Sequence, residues 1–95
     1  MQEPIIESSG NIFTDLGFDP AEATILQLRS KLINDLRTFI TNKQLTQAQV
    51  VAKLGIAQSR VSDLMRGKHE KFSLEMLITL ETRLGREVRL ELVGA

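Results

Sequence analysis

The chain has 95 residues, 42% of them hydrophobic, and its twelve basic and twelve acidic side chains cancel at neutral pH. That length allows one small domain with a modest core, and four Phe with no Trp or Tyr make the core one of Leu, Ile and Val. The lack of cysteine excludes a disulfide scaffold or thiolate metal site, and one histidine among scattered carboxylates speaks against a catalytic metal centre.

The opening residues, MQEPIIESSG, have no basic n-region and no long apolar stretch, so no signal peptide is expected. No apolar run approaches the ~18 residues of a membrane span. A soluble cytoplasmic protein without membrane contact is the expectation. Over residues 1–18, Ile5, Ile6, Ile12, Phe13, Leu16 and Phe18 are interspersed with Pro4, Gly10 and Gly17. This mixture is too apolar for a solvated tail and too irregular for a helix, and it suggests an arm packed on the domain or on a partner.

Asp19-Pro20-Ala21-Glu22 is a helix start: Asp19 caps, Pro20 suits the first position and Glu22 can complete a capping box. The helix should run to about Asn42, because Ile25, Leu28, Leu32, Leu36, Phe39 and Ile40 recur at three- or four-residue steps. Thr46 and Gln49 form a second capping box, with Leu45 and Val50 as a hydrophobic staple. This helix should end at Leu54, with Gly55 left-handed just past it. A third helix is expected from about Gln58 to Met65, stopping near Gly67. Ser73 caps a fourth, whose buried side should be Leu74, Leu77, Ile78, Leu80 and Leu84, and Gly85 ends it. Residues 87–93, EVRLELV, alternate apolar and charged side chains and predict a half-buried strand. A lone strand cannot satisfy its own backbone groups, so pairing with a second subunit or a partner's sheet is implied.

Residues 46–66 therefore read as two short helices about a sharp turn, with Val50, Leu54, Ile56, Val61 and Leu64 facing inward. Such a helix-turn-helix places its second helix in the major groove of DNA. The charge distribution agrees: residues 1–42 sum to −3, residues 43–71 to +4 and residues 72–95 to −1. Gln58, Ser59, Arg60, Ser62 and Asp63 should lie on the outward arc of the second helix, where Gln can pair with adenine and Arg with guanine. Gln47, at the start of the preceding helix, can clamp a phosphate together with Thr46, and Lys43, Arg66 and Lys68 are candidates for further backbone charges.

Each has a plainer alternative. Gln47 and Gln58 can be exposed helix-start residues, and Arg60 can pair with Asp63 three residues on. Arg66, Lys68 and Lys71 can be loop solubilisers, and His69 an exposed loop residue. Ser62 and Ser73 have the look of local hydrogen-bonders rather than nucleophiles.

The run LTQAQVVAKLGIAQSRVSDLMRGKHEKFSLEMLITLETRLGREVRLEL resembles the Xre/Cro family of bacterial helix-turn-helix regulators. With GNIFTDLGF and the long helix upstream, it is similar more narrowly to HigA-like antitoxins. The resemblance implies a homodimeric repressor of a palindromic double-stranded DNA operator, which in many members also neutralises a RelE-like RNase toxin encoded beside it. It places Gln47 at the family's phosphate-clamping position, Gln58, Ser59 and Arg60 at base-facing positions, and Ser62 and Asp63 on their flank. Val51 stands where the family usually has Ala, and Ala57 where a Ser or Thr usually caps the recognition helix.

The expected architecture is thus an all-α, lambda repressor/Cro-like bundle with a short C-terminal β-strand used in dimerisation. It divides into an arm (1–18), a DNA-binding domain (19–86) and the strand (87–95). The expected function is a DNA-binding repressor, the antitoxin of a type II pair that autoregulates its operon. The alternatives are a protein-interaction module in which DNA binding is secondary, or a stand-alone Xre-type regulator. With no nucleophile–base pair and no phosphate-binding glycine loop, an enzyme is not expected, nor is a cofactor.

Overall fold

The computed structural model describes residues 12–94, so the arm expected over 1–18 lies mostly outside the described residues. The described part begins with a short helix, α1 (Ile12–Asp15), followed by the long α2 (Pro20–Asn42). Then come α3 (Gln47–Leu54), α4 (Gln58–Met65), a 3-10 turn (His69–Lys71) and α5 (Leu74–Arg83). The helix boundaries expected for α2 to α5 are reproduced to within a residue or two.

The caps explain why. The Asp19 carboxylate accepts from the Ala21 and Glu22 amides, and Pro20 opens α2 where its missing N–H costs nothing. At α3 the box is complete: the Gln49 amide donates to Thr46 Oγ1 at 3.1 Å, and the Thr46 amide to Gln49 Oε1 at 2.8 Å. Ser73 Oγ accepts from the Met76 amide at the head of α5. Of α2 to α5, only α4 starts without a side-chain cap, because Ala57 occupies the N-cap in extended backbone (φ −65°, ψ 155°). That backbone already suits a serine, so Ala57→Ser is expected to add ~1 kcal/mol. The melting temperature should rise by roughly 4–8 °C; an unchanged or lower value would show that the cap does not form.

The core joins Ile33, Leu36 and Ile40 of α2 to Val50 and Leu54 of α3, Val61 and Leu64 of α4, Phe72, and Leu77 and Leu80 of α5. Helix α2 is the spine: α5, α1, α4 and the 3-10 turn all pack on it. Leu45 and Val51 pack partly buried against this core, as does Ile56 from the turn. Two expected core positions depart from the pattern. Ile25 is 41% exposed, and Ile78 37% exposed, while Glu81 takes a fully enclosed place on the inner face of α5.

The C-terminal β-strand is not present: among the described residues no strand forms, and the segment 86–94 runs on from α5 without regular structure. The alternation in EVRLELV is real, but among the described residues no second strand offers its N–H and C=O groups a ladder. Val88 is half-buried, whereas Leu90, Leu92 and Val93 stand in the open.

Candidate nucleic-acid interface

The geometry of the α3–α4 pair is set at its turn. Gly55 has φ +68°, the left-handed region a side chain resists, and it closes α3 by donating its amide to the Val51 carbonyl. The Leu54 carbonyl at that helix end is taken by Arg83 of α5, whose Nη1 donates to it at 2.6 Å. A Cβ at residue 55 would approach this same Nη1 to 3.4 Å. The guanidinium thus supplies both a hydrogen bond and a positive charge at the carbonyl end of α3. It ties the turn to α5. Sequence periodicity does not reveal this role, since Arg83 lies off the apolar face and its partner is 29 residues away in the chain.

On the outer side, the starts of α3 and α4 meet. Gln58 Nε2 donates to Gln47 Oε1 at 2.6 Å, and both residues are exposed. This leaves Gln58 with its carbonyl oxygen and its other N–H, the acceptor–donor pair that adenine N6 and N7 require. Gln47 keeps its NH2 donors beside the free amides at the head of α3, a combination suited to a phosphate oxygen. Ser59 is exposed next to Gln58, and Ser62 and Asp63 are half-buried farther along α4. Thr46 is engaged in its capping box.

Arg60 does not stand on that outward arc. Its Nη2 donates to the Lys71 carbonyl at 3.0 Å, and its Cζ lies 4.6 Å from the centroid of the buried Phe72 ring. The expected alternative, a pair with Asp63, is not formed either; the guanidinium instead bolts α4 to the 3-10 turn by a hydrogen bond and a cation–π contact. Lys43 is also removed from the reading end. Its ammonium lies 5.7 Å from the Phe39 ring centroid, and it shares a shallow pocket with Lys53 and Arg83. Arg66, at the end of α4, and Lys71 are exposed, and Lys68 is half-buried at the start of the 3-10 turn. His69, expected as an exposed loop residue, is half-buried with its ring edge-on to Phe13, 6.2 Å between centroids.

A second chemically distinct spot lies behind the reading surface, where α5 crosses α2. Glu81 is 2% exposed, and neither of its carboxylate oxygens receives an N–H or O–H donor. Asp35 of α2 faces it and is paired with Arg86 Nη2 at 3.0 Å. Burial pushes the Glu81 carboxyl up to about 8. A hydrogen bond to Asp35, which only a protonated carboxyl can donate, and the Asp35 charge push it the same way, while Arg86 opposes them. The signal was in the sequence: Glu81 lies four residues after Leu77, in register with the buried face of α5.

Among the described residues, no helix is long and apolar enough to cross a membrane. A family model described as a helix-turn-helix domain matches residues 12–92, nearly all of the chain. No curated protein and no solved structure matches it.

Proposed function

The chain belongs to the helix-turn-helix domain family, and from that premise we propose that it binds DNA as a homodimeric repressor of the Xre/Cro type. The observation that carries this is the Gln47–Gln58 bridge, which pre-positions one amide for a base edge and another for a phosphate at the joint head of α3 and α4. Two such heads related by a two-fold axis read the halves of a palindrome about 34 Å, or a multiple of it, apart. Exposed Arg66 and Lys71, with half-buried Lys68, supply sequence-independent attraction to the flanking phosphates.

The finer reading is the antitoxin of a type II pair, autoregulating its operon and neutralising a RelE-like RNase. It is supported by the resemblance of GNIFTDLGF and the following helix to HigA-like antitoxins. It is also supported by the side chains of Ile12, Leu16 and Phe18, which stand 60%, 66% and 41% exposed around α1 and offer an apolar surface to a partner. A gene for a small basic protein beside this one, whose growth arrest co-expression of the chain relieves, is the expected finding. A neighbouring product that causes no arrest, an arrest that the chain does not relieve, or an isolated gene favours a stand-alone regulator.

The direct test is selection of bound sequences from random duplex DNA, repeated with Gln58→Ala. The wild-type chain should enrich a palindrome. The variant should lose discrimination at one position in each half-site, by about 1–3 kcal/mol, while keeping its general affinity. Enrichment of no sequence by the wild-type chain would refute the repressor reading.

A further inference from the structure

The C-terminal ends of α2, α3 and α5 meet around a shallow pocket of about 330 Å³. Phe39, Leu45 and Leu84, all half-buried, give it an apolar lining, and the exposed Lys43, Lys53 and Arg83 stand around them. No carboxylate lines the pocket. Among the described residues none of the three cations belongs to an ion pair, in contrast to Arg86, which is bonded to Asp35.

A cation at a helix C-terminus is ordinary, because it complements the partial negative charge of the free carbonyls. Lys43 is the C-cap of α2, and Lys53 and Arg83 lie in the last turns of α3 and α5. Each helix end offsets only about half a unit of charge, so roughly one to two positive units remain where the three side chains converge. Two of the heads are also held in place. The Lys43 ammonium lies 5.7 Å from the Phe39 ring centroid, and Arg83 Nη1 donates to the Leu54 carbonyl at 2.6 Å. Charge that is fixed before a ligand arrives costs less ordering when it binds.

We propose that this pocket binds a small amphiphilic organic anion, with its carboxylate among Lys43, Lys53 and Arg83 and a short apolar tail on Phe39, Leu45 and Leu84. The unmet charge matches one carboxylate. A bare inorganic ion gains little from exposed cations, whereas a tail that covers the apolar lining adds burial. The volume lies at the small end of ligand pockets. Arg83 keeps its other N–H groups for the ligand while Nη1 stays on Leu54, so the anion holds the guanidinium where it braces the Gly55 turn. The site is distinct from the joint head of α3 and α4 and does not depend on the repressor reading.

Titration of the full chain with sodium hexanoate at pH 7, followed by backbone-amide NMR at constant ionic strength, tests this. The amides of Lys43, Leu45, Lys53 and Leu84 should shift to saturation, and that of Gly55 with them, with a dissociation constant on the order of millimolar. Hexanol, which has the tail without the charge, and sodium chloride should not saturate these shifts. Lys53→Gln, at an exposed position that leaves the core untouched, should raise the hexanoate dissociation constant by about fivefold. Absence of saturation, an equal response to hexanol or chloride, or an affinity indifferent to Lys53→Gln would overturn the proposal. A smaller salt slope for duplex binding by Lys53→Gln would also overturn it, by giving the pocket to a DNA phosphate. Hexanoate binding by a chain that enriches no duplex sequence refutes only the repressor reading.

Discussion

Glu81→Gln is expected to stabilise the fold by on the order of a few kcal/mol at pH 8, since each unit by which a carboxyl is raised on folding costs about 1.4 kcal/mol once it must ionise. The effect should shrink as pH is lowered toward 5. In the unfolded chain this glutamate releases its proton near 4.5, and in the folded chain at about 8. Between those values the folded state holds one more proton than the unfolded state, so stability is fully present below the lower value, declines as pH rises, and levels off above the upper one. The glutamine amide is neutral throughout and can still donate to Asp35, so the variant should lack this decline. Thermal melts from pH 5 to 9 check it. Parallel curves for the two proteins would mean that Glu81 is not held protonated.

The second large effect is on salt. If Arg66, Lys68 and Lys71 each neutralise one phosphate in both halves of a dimer, about six counterions are released on binding, and the log–log slope of affinity against salt is about −5. Operator affinity should then fall roughly a thousandfold between about 50 and 200 mM salt. Arg66→Gln should reduce the slope by about two in the dimer and weaken all sequences alike. Lys43→Gln should leave the slope unchanged, because that ammonium sits over Phe39, away from the head of α4. A slope near zero for the wild-type chain would deny phosphate contacts altogether.

The parts of the molecule legible in the sequence are those decided by neighbours in the chain. Asp19, Thr46 and Ser73 cap what they were expected to cap, Gly55 turns left-handed, and Val50, Leu54, Val61 and Leu64 are buried. Residues whose partners lie far along the chain are not legible in this way. The pitch of α4 alone puts Arg60 outward, but the Lys71 carbonyl, eleven residues on, and the adjacent Phe72 ring draw it in. Arg83 and Glu81 owe their roles to Leu54 and Asp35, which periodicity cannot bring to them. The C-terminal alternation misleads for the same reason in reverse: its pattern is local, but a ladder requires a second segment, and the described residues offer none.

The inward turn of Arg60 also bears on how such a protein changes its target. A guanidinium committed to the fold cannot be exchanged without loosening the 3-10 turn, so substitutions there are filtered by stability before they are tried against DNA. The positions left to vary cheaply are Gln58 and Ser59, both exposed and outside the core. New operator preferences can thus arise through one or two substitutions of neutral side chains, while the cations that hold the duplex, and the scaffold behind them, are inherited unaltered.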